Sequence, residues 1–501
     1  METPLVDALL DTIAQKPVSF HMPGHKGGRL FPPSFSGNLS AMDMTEIPGL
    51  DNLQAPEGVI REAQKLAAEA FRSDACFFLV NGSTSGIHIM MMSAFQPGEK
   101  VILPRNCHKS VWGALVLSGA LPVYVQPEYD EERGLTTHAA PEAIRRTAEE
   151  HPDARGMVLT NPDYYGMCPH LKEIRRILDE HDMLMLVDEA HGAHLIFHPG
   201  LPPSAAQCGA DLWVQSAHKT LPALTQTAYL QARLFPGGGE RPGNTDRVKS
   251  SGNIGGGRSR RGSRRAIDFD RLAQVHRMLQ STSPSYLLMA SLDWARGYME
   301  ERGKCALDKL LENLAWTRKE LKALGIDTME DYRRPEIFRT DPTRLVLDLS
   351  DLGLTGYAGE RILREAGVQV EMSDLHRLVL ICTVADEKAD FEKLVRACRS
   401  LSAHKGEMGR KGNHLSISRE IPKQMLSPKE AFEKTREYIP LQSAKGRICA
   451  GLVGAYPPGI PRFCPGEWMD AAGIGELLEI RARGGRLFGL SGDDRIPVVA
   501  E

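Results

Sequence analysis

Short apolar runs alternate with amphipathic helical patterns from about residue 74 to residue 230. Most of the runs are followed by glycine, histidine or other polar residues. This alternation predicts an α/β fold with a mostly parallel sheet, whose ligand cleft lies beyond the carboxyl ends of the strands. The predicted strands are Cys76–Val80, Lys100–Leu103, Val123–Val125, Met157–Thr160, Met183–Val187, Leu212–Gln215 and Ala228–Leu230.

The rest of the chain is divided by two polar segments. Residues 235–265 are dense in Gly, Ser, Pro and Arg, a composition that predicts a flexible insertion. Helical periodicity runs from Phe269 to Leu324, a smaller α/β unit follows, and residues 404–414 form a second linker. The predicted organisation is an N-terminal segment (1–70), a large domain (71–300) that contains the insertion, a small α/β domain (301–403) and a C-terminal domain (415–501).

The composition of the 501 residues narrows the class of function. With 61 basic and 64 acidic side chains, the net charge of −3 predicts no general attraction to nucleic acid or to a membrane surface. The basic run at 258–265 lacks interleaved aromatic residues and is more typical of a solvated loop. Nine scattered cysteines without a Cys-x-x-Cys pair, and no apolar run of about 20 residues, predict a cytoplasmic protein without a metal site.

A lysine and an aspartate follow two successive predicted strands. Asp188 ends the apolar run in MLMLVDEAHGAH, and Lys219 lies in the turn after LWVQ, one strand-helix-strand repeat later. A lone lysine is usually a solvated surface residue. The pair is what pyridoxal 5′-phosphate (PLP) requires, because an amine forms the Schiff base and a carboxylate keeps a proton on the pyridine nitrogen.

A phosphate site is predicted at the start of a helix. The segment CFFLVNGSTSGIHIMM places Ser83, Thr84 and Ser85 where a buried strand gives way to an apolar helix. Free backbone N–H groups, the helix dipole and the hydroxyls together suit a dianion. An ordinary helix cap is the alternative, since Ser and Thr are preferred there.

Several histidines are further candidates. His108 in VILPRNCHKSV follows another strand, where it could lie flat over a pyridine ring, although such a histidine is more often structural. The pairs in HMPGH (21–25) and HGAH (191–194) resemble metal ligands. We discount them because Pro23 and Gly24 disrupt the helical spacing in the first pair, and neither pair has further ligands at a suitable spacing.

Taken together, these motifs resemble those of the bacterial ornithine/lysine/arginine decarboxylase family, of the aspartate-aminotransferase fold type (fold type I) of PLP-dependent enzymes. The likeness covers most of the chain, and the chain resembles the shorter form of the family. The matching motifs are FHMPGHKGG (20–28), TEIPGLDNLQAPEGVI (45–60), FFLVNGSTSGI (77–87), PRNCHKSV (104–111), TNPDYYG (160–166), VDEAHGAH (187–194), SAHKT (216–220), TSPSYLLMASLD (282–293) and YPPGIPRFCPGE (456–467).

The resemblance implies a role for each matching residue. Lys219 would be the Schiff-base lysine, Asp188 the partner of the pyridine nitrogen, and His108 the residue stacked on the ring. His191 falls where larger members of the family place another ring neighbour. The residues that the family places around the phosphate correspond to Ser83, Thr84, Ser216 and His218.

The implied reaction is loss of CO2 from an external aldimine of a basic amino acid, which gives an amine of polyamine metabolism. Transamination or lyase chemistry on the same fold is the first alternative, and a non-catalytic binding protein is the second. Arginine is favoured as the substrate, followed by lysine and ornithine. Glu467, or the acids of VEMSD (370–374), could receive its charged end. A homodimer or higher assembly is expected, with residues 282–286 reaching a neighbouring subunit's site.

Overall fold

The structure is a computed structural model that describes residues 2–233, 266–404, 420–456 and 460–500. The predicted insertion at 235–265 and most of the linker at 404–414 lie outside these residues. The strands are β1 (Val18–Phe20), β2 (Ala75–Leu79), β3 (Lys100–Pro104), β4 (Leu121–Val125), β5 (Tyr129–Asp130), β6 (Leu135–Thr136), β7 (Gly156–Thr160), β8 (Met167–Pro169), β9 (Leu184–Asp188), β10 (Leu212–Ser216), β11 (Ala228–Ala232), β12 (Ile337–Thr340), β13 (Arg344–Asp348), β14 (Val368–Val370), β15 (Met372–Ser373), β16 (Arg377–Ile381), β17 (Arg436–Pro440), β18 (Val453–Tyr456), β19 (Pro461–Phe463), β20 (Arg486–Phe488) and β21 (Arg495–Val499).

Helices cover the sheets and link the strands. They are α1 (Pro4–Ala14), α2 (Pro33–Ser36), α3 (Val59–Ala70), α4 (Gly82–Ala94), α5 (Lys109–Ser118), α6 (Pro141–Glu150), α7 (Leu171–Glu180), α8 (Ala217–Thr220), α9 (Phe269–Leu279), α10 (Tyr286–Ala323), α11 (Gly356–Glu365), α12 (Lys388–Ala403), α13 (Pro428–Glu433) and α14 (Ala471–Ala482). Among the described residues, none of the helices is long and apolar enough to cross a lipid bilayer.

The central sheet has the strand order β2-β11-β10-β9-β7-β3-β4. Adjacent strands in this sheet pair in parallel, except that β11 runs antiparallel to both of its neighbours, β10 and β2. All seven predicted strands are therefore present, and the predicted fold class is confirmed. Strand β9 shows why the apolar run is continuous: Leu184 and Leu186 join one hydrophobic core, whereas Met185 and Val187 join the core on the opposite face.

Two smaller units flank the central sheet. Strands β13, β16 and β15 form an antiparallel sheet beside α11 and α12. The C-terminal unit contains β17 to β21 and α14, and it is anchored to the end of β3 by a buried ion pair. In this pair the Arg105 guanidinium donates to the Glu467 carboxylate (2.9 Å) and also to the carbonyl of Pro461 (3.0 Å). This contact brings the C-terminal unit to the carboxyl edge of the sheet.

The helical stretch that the sequence predicted from 269 to 324 is broken in two. Helix α9 ends at Leu279, and α10 begins at Tyr286 with the Ser285 hydroxyl accepting a hydrogen bond from the Leu288 N–H. Pro284 lies just before this cap, and a residue that precedes proline is disfavoured in a helix. The proline and the cap therefore interrupt the helix, although the apolar periodicity of the sequence continues through this segment.

Close packing of α4 on the sheet makes Gly86 sensitive to substitution. A Cβ atom at this position would lie 2.6 Å from Leu79 Cδ1 and 2.7 Å from Val214 Cγ1. We expect Gly86→Ala to lower the free energy of unfolding by about 1–3 kcal/mol through overpacking. Gly297→Ala, in α10 with open space around it, should be neutral or stabilise the fold by about 0.5–1 kcal/mol. Chemical denaturation would test this contrast, and equal effects would contradict it.

Candidate active site

A cleft of about 930 Å³ opens at the carboxyl ends of the parallel strands. It collects side chains from the loops that follow β2, β3, β7, β9 and β10, as the strand pattern predicted. Its lining includes Ser83, Asn106, His108, Asp163, Tyr164, Tyr165, Asp188, His191 and Lys219, and Ile460 of the C-terminal unit also contributes. Three of the candidates that lie far apart in the sequence, Ser83, Asp188 and Lys219, thus line one cavity.

Lys219 lies in the one-turn helix α8, directly after β10. Burial lowers the pKa of its ammonium group, and the neighbouring Asp188 carboxylate offsets this effect only in part. A lowered pKa increases the fraction of neutral amine, which is the form that attacks a carbonyl carbon. The position of Lys219 therefore suits an amine nucleophile.

His191 links Lys219 to the small α/β unit. Its Nε2 lies 3.1 Å from Lys219 Nζ, and its Nδ1 accepts a hydrogen bond from the Arg344 guanidinium at 3.2 Å. Burial lowers the pKa of His191 well below its usual value, so the ring is neutral. With Nδ1 accepting, the ring proton is on Nε2, the nitrogen that faces Lys219.

Asp188 ends β9 at the floor of the cleft. One carboxylate oxygen accepts the Ala190 backbone N–H at 3.1 Å. Burial raises the pKa of Asp188, and the Lys219 ammonium acts in the opposite direction. A buried carboxylate in a cleft is stabilised by a cationic partner, so Asp188 suits a protonated pyridine nitrogen.

The start of α4 and the end of β10 together form a cradle for an anion. Helix α4 begins at Gly82 without a side-chain cap. The Gly82 N–H donates to the Gln226 carbonyl at 2.8 Å, so the backbone N–H groups that follow it in the first turn are the ones a ligand can bind. Ser83 lines the cleft, and the fully buried Ser216 hydroxyl has no hydrogen-bond partner among the described residues. These unmatched donors are what a phosphate group requires, so the residues present fit PLP.

Three other residues that were predicted to surround the phosphate are Ser85, Thr84 and His218, and their side chains are placed as follows. The Ser85 hydroxyl donates to the Gly82 carbonyl (2.9 Å) and accepts from Gln280 (3.1 Å), and the side chain does not line the cleft. Thr84 is exposed. His218 donates through Nδ1 to the Thr227 carbonyl (2.9 Å), which fixes its ring beside the Lys219 turn.

His108 lines the cleft and also caps α5. Its Nδ1 accepts the Ser110 backbone N–H at 3.2 Å. His108 therefore has a structural role as a helix cap in addition to its place in the cleft. Burial, together with the nearby Lys219 charge, lowers the pKa of His108 to about 4. A neutral, oriented imidazole at this edge is compatible with stacking on a flat ring.

The motif at residues 20–28 packs directly on the turn that carries Lys219. The Gly24 N–H donates to the His218 carbonyl at 2.6 Å. A Cβ atom at position 24 would lie 2.7 Å from the Leu221 carbonyl oxygen and 3.1 Å from that of Lys219. A larger residue would displace the backbone that positions the lysine, which explains the glycine in HMPGH.

The cleft also contains residues of the TNPDYYG motif to which the sequence assigned no individual role. The Tyr164 ring lies 4.6 Å from the His191 ring, and Lys219 Nζ is 5.8 Å from its centre. Asp163 accepts the backbone N–H groups of Tyr165 and Met167, both at 2.9 Å. Because these residues follow β7 within TNPDYYG, their position after a predicted strand was the available signal.

Fold and site together define the class of protein. The fold is that of fold-type I PLP-dependent enzymes: a structure of SPT with a PLP internal aldimine aligns with a TM-score of 0.55 at 13% identity, over 77% of this chain and 86% of that one. The lysine decarboxylase LdcF of Francisella novicida aligns with a TM-score of 0.76 at 20% identity, over 94% of this chain and 76% of that one.

The chain belongs to the Orn/Lys/Arg decarboxylase family. Residues 3–339 match the model of the family's major domain, and residues 413–488 match that of its C-terminal domain. The arginine decarboxylase of Bacillus subtilis (strain 168) is 38% identical over 95% of this chain and 93% of that protein. The family resemblance drawn from the motifs is therefore confirmed.

Proposed function

We propose that this chain is a PLP-dependent decarboxylase whose preferred substrate is arginine. The observation that carries the proposal is the placement of the Lys219 amine and the Asp188 carboxylate in one cleft, beside a helix N-terminus with unmatched donors. The similarity to an arginine decarboxylase along almost the whole chain favours arginine over lysine and ornithine.

When bound, PLP supplies an electron sink that stabilises the negative charge left on the substrate Cα as CO2 departs. Lys219 would hold the cofactor covalently and afterwards return a proton to Cα. Asp188 would keep the pyridine nitrogen protonated, and Ser83, Ser216 and the start of α4 would bind the phosphate. His191 would orient Lys219 through the contact between Nε2 and Nζ.

The proposal is tested by incubating cofactor-loaded protein separately with arginine, lysine and ornithine and identifying the products by mass spectrometry. Agmatine formed faster than cadaverine or putrescine would support it. A keto acid in place of an amine would instead favour transamination, which the same lysine and aspartate could also support. No product from any of the three would contradict the assigned substrate class.

We infer that the charged end of the substrate binds near Tyr165. This residue lines both the catalytic cleft and a second cleft that adjoins it. Of the acids considered from the sequence, Glu467 is fully buried against Arg105, and Glu371 accepts the Met22 N–H. Asp374 lies 3.6 Å from the Arg377 guanidinium, but unlike Glu467 it lines the adjoining cleft, where it accepts a hydrogen bond from the Tyr165 hydroxyl at 2.6 Å. We therefore assign guanidinium recognition to Asp374.

Asp374→Asn should raise the KM for arginine by about tenfold while changing kcat much less, because the ion pair with the substrate guanidinium becomes a hydrogen bond to an uncharged amide. Steady-state kinetics would measure both parameters. Asp351→Asn, at an exposed position in the same unit, is the control. An unchanged KM would place the recognition group elsewhere.

The expected homodimer is supported by an unpartnered apolar surface. Leu5, Leu9 and Ile13 of α1 are each more than half exposed, and no residue of α1 is buried. The Tyr286 hydroxyl, in the segment expected to reach a neighbouring subunit, donates to the Asp51 carbonyl of its own chain (2.6 Å).

Light scattering should give at least twice the mass of one chain. Replacing Leu9 and Ile13 together by aspartate should shift the population towards monomer, because a charged side chain opposes burial of this helix in an interface. Leu117→Asp, on a different exposed surface, should leave the mass unchanged. A monomeric parent protein would contradict the proposed assembly.

The predicted domain boundaries and cellular location are also proposals. Most apolar side chains of the C-terminal unit form a core of their own, although Cys464 joins the core of the central sheet, and this supports a division near residues 404–415. A cytoplasmic location is supported by nine free cysteines, eight of them buried, which suit a reducing compartment.

A further inference from the structure

A separate cleft of about 850 Å³ lies behind the catalytic one, and four arginines line it. We call it the arginine cleft and define it by Arg318, Arg333, Arg339 and Arg344. Of the residues that the structure describes, Tyr165 alone lines both this cleft and the catalytic cleft. Nothing in the proposed decarboxylation uses this second space.

None of the four guanidinium groups forms an ion pair within the described ranges of the chain. They donate instead to neutral acceptors: Arg318 to the Pro342 carbonyl (2.7 Å), Arg333 to the Glu330 carbonyl (2.8 Å), Arg339 to the Gly200 carbonyl (2.6 Å) and Arg344 to His191 Nδ1 (3.2 Å). Buried arginines elsewhere behave differently, since Arg175 pairs with Asp211, and Arg377 with Asp348.

The acids in the arginine cleft do not balance this charge. Its two acidic side chains are Glu330, which is exposed, and Asp341. The Asp341 carboxylate already accepts from the Thr343 hydroxyl (2.8 Å) and lies 3.1 Å from His194 Nε2. The cleft therefore carries an excess of positive charge.

Two of the arginines are buried with unmatched donors. Arg318 and Arg344 are 7% and 4% exposed, and Nε of both groups, with Nη1 of Arg344, has no hydrogen-bond partner in the described structure. Burial also lowers the pKa of Arg318. The Asp341 carboxylate attracts both guanidinium groups, but one buried carboxylate does not neutralise two buried cations. This arrangement therefore indicates a ligand that supplies further negative charge.

We propose that the arginine cleft binds a small phosphate-bearing anion. Guanidinium groups bind phosphate through paired N–H donors, and several of them around one cavity favour a multiply charged group. The hydroxyls of Thr328 and Thr340 line the same space and can donate to phosphate oxygens. The volume exceeds that of one phosphate group, so an organic phosphate or a diphosphate fits better than a single inorganic ion.

This site is distinct from the phosphate cradle at the start of α4. The backbone of Tyr165 and Gly166 separates the two clefts and packs closely on Arg344, because a Cβ atom at Gly166 would lie 2.7 Å from Arg344 Cβ. Arg344 contacts His191, and His191 contacts Lys219. A bound anion would thus lie behind the residues that orient the lysine.

The test is a calorimetric titration of the cofactor-loaded protein with pyrophosphate in the absence of substrate, so that the α4 cradle is already filled. We expect one binding site per chain, and an affinity about tenfold or more weaker in the double variant Arg333→Gln/Arg339→Gln. Both residues are exposed, which protects the fold. Arg302→Gln, at an exposed position in α10, should bind as tightly as the parent protein.

Absence of pyrophosphate binding, or equal affinity of the parent protein and the double variant, would overturn the proposal. Citrate serves as a second probe, and tighter binding of citrate than of pyrophosphate at this site would overturn the phosphate class. Since no turnover is measured, the result does not depend on whether the chain decarboxylates arginine.

Discussion

Lys219→Ala should abolish decarboxylation and the visible absorption of the covalently held cofactor. The amine is the nucleophile that the cleft presents to an aldehyde, and its lowered pKa reflects burial at the end of β10. Losing both the covalent link and the proton donor should reduce kcat by more than about a thousandfold. Steady-state assays with arginine and an absorption spectrum would measure the two effects.

Lys172→Ala provides the matched control for this experiment. Lys172 is exposed on α7, so its replacement should leave both the spectrum and the rate unchanged. If the Lys219 variant kept more than about a tenth of the parent rate, Lys219 could not be the essential amine.

Asp188→Asn should leave the cofactor attached to Lys219 but reduce kcat by roughly a hundredfold to a thousandfold. An asparagine side chain has almost the same shape, but it carries no negative charge to hold a proton on the pyridine nitrogen. The electron sink is then weaker at the step in which CO2 departs. The comparison requires kcat together with the cofactor content of the purified variant.

Asp182→Asn tests whether the effect is specific to this carboxylate. Asp182 lies just before β9 with φ 52°, a backbone conformation that asparagine also adopts readily. The Asp182→Asn variant should retain full activity. Near-normal kcat in the Asp188 variant with full cofactor content would rule out the assigned role.

The sheet was predictable because its strands are buried on both faces. Strand β9 reads as a continuous apolar run since its side chains enter two cores alternately, and a polar residue appears only where the strand reaches the cleft. Strand ends differ from the predictions by up to two residues, as for β4, which begins at Leu121 rather than Val123. The break between α9 and α10 was missed because helical periodicity continues across a local cap.

The central residues of the site were predictable for a related reason. Asp188 is the last residue of β9, while Ser83 and Lys219 lie in the turns just after β2 and β10. The ends of these strands meet at one edge of the sheet. Arg344 was not predictable, because its contact with His191 joins residues 153 positions apart and depends on how the small unit packs. The buried roles of Ser85 and Glu467 likewise depend on distant partners, Gln280 and Arg105.

The most direct test of the account is to locate the cofactor on the chain. Reduction of the loaded protein with borohydride fixes PLP to the amine that holds it, and peptide mass mapping then identifies that residue. We expect the added mass on the peptide containing Lys219 and on no other. Cofactor mass on a different lysine, or on none while arginine is still decarboxylated, would contradict it.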